Sequence, residues 1–405
     1  MQLIDLVYVF IFSSIIFSSS LWILLYIFNR DKVKRDPKPS TYPSVTFLVP
    51  AYNEEEYVER CLDALLDQDY PKDKFDIIAI NDGSEDSTLE KMKKYSDQIK
   101  IIDKENSGKA SSLNYALEKV ETEIVGCMDA DSFPEKDFVR NMVGYFDQED
   151  VKGVTPAMKV LDPQTWPQKI MWAEFIYNVL LRKMFSIFDS QWVMPGPGSL
   201  YETKYLKELG GWDEETLTED MEIAFRMFKH GAKLKNSTNA YVDTISPPTL
   251  KGLFRQRMRW YRGYIDNALT YSELWFNRKY GNLGVIVIPF NAFWTLLMFF
   301  MVGHMIFRVV TSGVQMVQTY MLAGFIDLGF SFSIQSLSTF HFFYGLLGVG
   351  GVALLYLSLR IAEEKLKLWE RKVHYGLFLI AYGPLYVALW VAAIIGEIKG
   401  DKDLW

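Results

Sequence analysis

Cysteine and histidine are scarce. Two cysteines in 405 residues exclude a disulfide framework, and four scattered histidines leave no zinc set. Cys61 falls in an expected helix and Cys127 in an expected strand, where both read as core. His230, His304, His341 and His374 stand apart from one another and read as structural. The phosphate loop G-x-x-x-x-G-K-[ST] is absent, and no G-x-G-x-x-G follows the first strand, which excludes a Walker site and a dinucleotide fingerprint. Gly348-Val349-Gly350-Gly351 sits inside an apolar run and signifies helix packing. Basic residues cluster beside apolar runs rather than in stripes, and the net charge is −7, so nucleic acid is excluded as a partner. There is no short-period repeat and no low-complexity segment.

Long apolar runs are present instead. Residues 3–28 carry no charge but Asp5, a length that spans a bilayer. A basic leading region and a small-residue cleavage site are both missing, so this run is not a signal peptide. Arg30, Lys32, Lys34 and Arg35 follow it and assign that end to the cytoplasm. Three further runs cover about 283–310, 341–361 and 373–398. Arg360, Lys365, Lys367, Arg371 and Lys372 between the last two repeat the cytoplasmic signature. Residues 314–338 are only partly apolar and carry Gln315, Gln318, Asp327 and Gln335, which predicts an interfacial or external segment rather than a fifth span. About four spans and a cytoplasmic polar domain are therefore expected.

Between Ser44 and about Asn277 the chain alternates between strand and helix patterns. Expected strands are 45–49, 75–80, 99–103 and 124–128. Expected helices are 54–66, 85–95, 110–120 and 221–229. Such alternation predicts a Rossmann-like, mostly parallel sheet flanked by helices.

Polar residues mark the strand ends. Asp129 and Asp131 follow the apolar run 124–128; alternate residues of an extended chain point the same way, so both can reach one cation. Oxygen ligands favour Mg²⁺ or Mn²⁺, ions commonly shared with substrate phosphates, although an Asp-rich turn would use the same residues. Tyr52 and Glu54 lie just after the first strand and Asp82 after the second, an aromatic and acids suited to a base; a plain turn accounts equally for Asn81-Asp82-Gly83. Ser107-Gly108-Lys109-Ala110 opens a helix with a cation placed for a phosphate. Thr218-Glu219-Asp220 precedes a helix, where Thr218 is expected to cap and Asp220 could serve as a general base. Gln256, Arg259 and Trp260 share a helix face and offer phosphate contacts and a flat platform for a sugar. Arg255, Arg257 and Arg262 are expected on the other face, towards lipid headgroups.

Taken in order, 50–54, 81–84, 107–110 with Leu113-Asn114, 129–131, 218–220 and 256–260 resemble the membrane-embedded family-2 glycosyltransferases, inverting enzymes of GT-A fold typified by hyaluronan, chitin, cellulose and poly-N-acetylglucosamine synthases. The resemblance covers roughly residues 44–263. Asn81 stands where many members have a second Asp, and no clear gating-loop pattern follows Trp260. The resemblance implies that Ala51, Tyr52, Glu54 and Asp82 hold the nucleotide, with Lys109 near uracil or phosphate. It gives Asp129 and Asp131 to nucleotide and Mg²⁺ or Mn²⁺, and makes Asp220 the base. Gln256, Arg259 and Trp260 then line the diphosphate and acceptor end, and Gly198, Ser199 and Glu219 join Trp260 around the acceptor. The implied domains are an N-terminal span (1–30), a basic linker (31–43), a cytoplasmic GT-A domain (44–248), an amphipathic interface helix (249–280) and a C-terminal transmembrane region (281–405).

Three functions compete. The first is a synthase that elongates a polysaccharide from a UDP-sugar and exports it through its own spans, where few spans invite an oligomer or partner. The second moves one sugar to a lipid-linked acceptor such as a polyprenyl phosphate or glycolipid. The third, a transporter with a nucleotide-binding domain, is weakest because intramembrane ionisable residues are few (Asp5, His304, Arg308). Residues 166–188, with Trp166, Trp172, Phe175 and Tyr177, are assigned to core packing rather than to a membrane surface or acceptor groove.

Overall fold

In the computed structural model, residues 3–324, 339–364 and 370–399 are described. Helix α1 (Leu3–Phe28) and a short α2 (Arg30–Lys34) lead into the polar domain. There follow β1 (Val45–Ala51), α3 (Val58–Leu66), β2 (Phe75–Asp82), α4 (Thr88–Lys93), β3 (Lys100–Lys104), α5 (Lys109–Leu117) and β4 (Ile124–Cys127). The domain continues with β5 (Ser132–Pro134), α6 (Phe138–Val143), β6 (Val151–Val160), α7 (Trp166–Ile187), β7 (Leu200–Glu202), α8 (Thr203–Glu208), α9 (Glu219–Lys229) and β8 (Lys233–Thr244). Helices α10 (Leu250–Thr270), α11 (Ile288–Ala323), α12 (Thr339–Ile361) and α13 (Lys372–Lys399) complete it.

The strands form one sheet in the order β3-β2-β1-β4-β7-β6-β8-β5. Pairs β3–β2, β2–β1, β1–β4 and β6–β8 are parallel, whereas β4–β7, β7–β6 and β8–β5 are antiparallel. The first four strands match the expected runs, and the apolar sequences of β1, β2 and β4 suit a sheet covered on both faces, while β3, with Lys100, Asp103 and Lys104, forms its edge. Because β1, β2 and β4 run parallel, their C-terminal ends share one rim. Ala51 pairs with Asn81, and Leu48 with Cys127 just before the Asp pair.

Several helices differ from expectation. Helix α3 starts at Val58 rather than at 54. Residues 53–55 are held instead by the next loop: Ser84 Oγ accepts from the Asn53 amide at 3.1 Å, and Thr88 Oγ1 from the Glu54 amide at 2.8 Å. The segment expected to be core, 166–188, is α7. Trp172 and Phe175 are buried and Tyr177 is half-buried, while Trp166 at its start is exposed. The basic linker is not loose. Asp36 accepts from Tyr145 Oη and Ser237 Oγ, each at 2.6 Å, and from Asn239 Nδ2 at 2.9 Å, which fastens the end of α2 onto the domain.

Among the described residues three helices are long and apolar enough to cross a membrane, over Val9–Phe28, Leu283–Leu322 and Ala381–Lys399, and α12 carries a shorter apolar stretch, Val349–Ile361. The second apolar run does not stop near residue 310. Helix α11 continues without a break to Ala323 and ends where Gly324 takes a left-handed φ of 73° and donates its amide to Tyr320 O. At 36 residues it is about 54 Å long, well beyond a hydrocarbon core of about 30 Å. Residues 314–323 thus belong to α11 rather than to a separate interfacial segment; no proline follows Pro289 within the helix, and Gly313 is accommodated in it. The rest of that segment (325–338), like Lys365 and Lys367, lies outside the described residues.

Candidate active site

The rim of β1, β2 and β4 gathers the acids. Asp129 and Asp131 leave β4 with Glu54 facing them from the loop after β1. Burial, then the charges of Asp131 and Asp129, push Glu54 up to about 7. Burial, then Asp129, pushes Asp131 up to about 6. Three carboxylates that repel one another in a partly dry rim gather negative charge there. Among the described residues no group of three or more acidic, His or Cys side chains is placed to hold a metal ion by itself.

Lys109, at the start of α5, joins this rim to the next motif. Its ammonium lies 2.6 Å from Asp129 Oδ1 and 3.0 Å from Glu219 Oε1. Burial opposes its charge, but Asp129 and Glu219 more than offset that and hold it well above the usual lysine range. The space for this ammonium exists because residue 196 is glycine. A Cβ there would come within 2.4 Å of Lys109 Nζ and 2.7 Å of Asp129 Oδ1. Gly196→Ala is expected to displace the flexible lysine tip rather than unfold the domain. It should lower kcat/KM about tenfold with a nearly unchanged melting temperature, which steady-state kinetics and thermal unfolding would check.

Asp82 ends β2 and is buried. Its carboxylate accepts from Lys104 Nζ at 2.6 Å and from the amides of Ser107 and Gly108 at 3.0 and 2.9 Å. Burial opposes its charge, yet these donors keep it below the usual carboxylate range. It thereby moors the loop that aims Lys109. Ala51 is buried at the end of β1, while Tyr52 is 46 % exposed on the rim, open to a stacking partner.

Glu219 and Asp220 begin α9. Burial works against Glu219's charge, but Lys109 lowers its pKa. Burial, then the charge of Glu219, pushes Asp220 up to about 6 against the pull of Lys109 and Arg259. Thr218 occupies the N-cap position, as expected, but its hydroxyl makes no cap bond. It accepts instead from Asn267 Nδ2 at 3.2 Å, so this residue docks α9 onto α10. Asn114 holds the preceding loop, accepting from the Trp212 amide at 2.8 Å and donating to Glu214 Oε1 at 2.9 Å.

On α10, Arg259 is exposed and Trp260 half-buried. Gln256 Oε1 is buried and accepts no hydrogen bond. The expected lipid-facing arginines divide. Arg255 is exposed, but Arg257 makes a buried fork with Glu174 of α7, at 2.9 and 2.6 Å, and lies 4.4 Å from the Trp260 ring centre. Arg262 is buried against Glu397 of α13 at 3.0 Å. Acids on α7 and α13 draw these two inward, which the sequence of α10 alone could not reveal. At the expected acceptor end, Gly198 has φ 90° and packs against Phe138, and the fully buried Ser199 hydroxyl donates to Pro195 O at 2.6 Å. Both residues sit in the interior, shaping the floor rather than presenting a side chain.

The profile of the family described as Glycosyltransferase like family 2 matches residues 43–263, more than half of the chain. The chain belongs to the family-2 glycosyltransferases. Poly-beta-1,6-N-acetyl-D-glucosamine synthase of Staphylococcus epidermidis is 28% identical over 342 residues, covering 80% of this chain and 79% of the relative. The probable glycosyltransferase YdaM of Bacillus subtilis is 28% identical over 287 residues, 67% of each chain. A mannosyltransferase of Pyrobaculum calidifontis, solved in complex with GDP-Man and Mn2+, superimposes with a TM-score of 0.60 over 96% of this chain and 100% of its own, at 19% identity. This glycosyltransferase therefore has the GT-A fold, joined to membrane helices. What its sequence did not disclose is the pinning of Trp260 by Arg257 and Glu174, and the role of Gly196 under Lys109. Neither carries a local pattern.

Proposed function

We propose that this membrane glycosyltransferase moves N-acetylglucosamine from UDP-N-acetylglucosamine onto a growing polysaccharide, processively and with inversion, from the cytoplasmic side. The observation that carries the reading is the convergence of Glu54, Asp129 and Asp131 with Lys109, Glu219, Asp220 and Arg259 on one rim. The choice of sugar and polymer is supported by the staphylococcal synthases, which share sequence well beyond the catalytic domain. The cytoplasmic placement is supported by the basic residues after α1 and around the α12–α13 connection.

In this reading Tyr52 stacks on the base, and Asp82 positions the loop beneath it. A divalent cation held by Asp131 and Asp129 would neutralise the leaving diphosphate, in keeping with the oxygen-only ligands present. Arg259 adds positive charge at the same place. Asp220, ionised above about pH 6, takes the proton of the attacking hydroxyl on the opposite face of the sugar. Trp260, fixed by Arg257, offers its ring to the acceptor sugar, and Gln256 Oε1 is free to accept from one of its hydroxyls. The test is UDP release from a panel of UDP-sugars, with and without a chelator. Release should be fastest from UDP-N-acetylglucosamine and be lost with the metal; equal rates with chelator, or preference for another donor, would overturn the corresponding part.

A further inference from the structure

Two helices bring the halves of the site together. Helix α5 begins at Lys109 and α9 at Glu219, with Asp220 beside it, and Lys109 meets Glu219 at 3.0 Å. Further along, both helices grip the same turn, residues 209–212. From α5, Asn114 pairs its carboxamide with the Trp212 backbone: Oδ1 accepts from the amide and Nδ2 donates to the carbonyl, each at 2.8 Å. From α9, Arg226 donates Nη1 to Leu209 O at 2.7 Å and Nη2 to Gly211 O at 2.8 Å. Its Nε and Nη2 also fork onto Glu222, at 3.0 and 2.7 Å. Tyr271, just past α10, donates its hydroxyl to the same carboxylate. All three guanidinium nitrogens are thus engaged, and an ammonium could not match that fork.

The turn is shaped for these grips. Gly211 has φ 76°, and a Cβ there would lie 2.3 Å from Asn114 Oδ1. Trp212 is buried edge-on to Tyr201 of β7 at 5.5 Å, which roots the turn in the core. The contacts close a ring that runs from Lys109 along α5 to Asn114, through the turn to Arg226, and back along α9 to Glu219. Asn114 is five residues from Lys109 and Arg226 six from Asp220, helical spans of about 7.5 and 9 Å. Either grip alone would steady the turn; the two together fix how far α5 stands from α9.

We propose that Asn114 and Arg226 are positioning residues that hold α5 and α9 in register through this turn, so that Lys109 reaches Glu219 and the rim of Asp129 is aligned with Asp220. The proposal rests on the preceding reading that the chain transfers a sugar with Asp220 as base. Neither residue touches the reacting atoms. Loss of register is therefore felt in the chemical step rather than in donor binding.

The test follows UDP release by the full chain in detergent, with its preferred UDP-sugar, alongside calorimetry with UDP. Asn114→Ala and Arg226→Lys should each lower kcat about tenfold while the donor KM and the UDP affinity hold. Gly196→Ala, which displaces the same lysine directly, gives the decisive comparison. Added to Asn114→Ala it should cost little more, leaving kcat/KM about tenfold below the wild type. Losses that multiply to about a hundredfold would overturn the proposal, because independent structural defects add in free energy. So would an unchanged kcat in both variants, or a loss that vanishes once rates are divided by the amount of UDP-binding protein. Should Asn114→Ala fail to fold, Arg226→Lys, which keeps a positive charge beside Glu222, carries the same comparison. No transfer by the wild type from any UDP-sugar would instead sink the preceding reading, an outcome distinct from normal transfer with Asn114 and Arg226 indifferent.

Discussion

Asp220→Asn is expected to cut sugar transfer by about 10²–10⁴-fold while UDP still binds. The amide keeps the shape of the side chain and its place at the start of α9 but cannot take a proton. The rim around Glu54, Asp129 and Asp131 is untouched, so calorimetry should give a UDP affinity close to that of the wild type. Loss of UDP binding in this variant would count against Asp220 as the base. The pH dependence follows from the same carboxylate. Burial and the charge of Glu219 raise Asp220 to about 6, so transfer should fall as pH drops through about 6 and reach a plateau above it. Asp220→Asn should flatten that limb of the kcat/KM profile.

The second large effect concerns the cation. Asp131→Asn removes a negative charge from a site whose proposed task is to hold a divalent ion against a diphosphate. UDP affinity in the presence of Mn²⁺ should drop by about one to two orders of magnitude, the scale of a lost charge-assisted contact. Without metal the two proteins should bind UDP alike. Equal binding with and without Mn²⁺ in the wild type would remove the ion from the account. Because Asp131 is already raised to about 6 by burial and by Asp129, neutralising it should relieve repulsion, and the variant should fold at least as well as the wild type.

The two halves of the domain differ in how plainly the sequence announces them. Strands β1, β2 and β4 are largely apolar and, with the more polar β3, are separated by helices, so their order and the rim at their C-terminal ends are readable from the alternation. Strand β8 is not. Its centre, Asn236-Ser237-Thr238, is polar yet buried, because Asn236 donates to Thr155 Oγ1 at 2.9 Å and Thr238 to Val33 O at 2.6 Å. Those partners lie far away in the chain, and no local pattern encodes them. The same logic explains Arg257 and Arg262, which look like headgroup contacts until Glu174 and Glu397 are folded against them. Acids at the ends of β4 and at the start of α9 were legible as candidates. That Lys109 bridges Asp129 and Glu219 depends on how α5 and α9 meet, which only the fold supplies. Composition predicts the membrane helices, but α11 runs past residue 310 through Gly313 and the partly polar residues 315–319, which composition alone marks as a boundary.

The size of the product tests the central claim most directly. Purified protein supplied with labelled UDP-N-acetylglucosamine and Mn²⁺ should build a long, high-molecular-mass N-acetylglucosamine polymer, released as UDP accumulates in step with the sugar incorporated. A lipid bearing a single sugar, or no labelled glycan at all, would contradict the account.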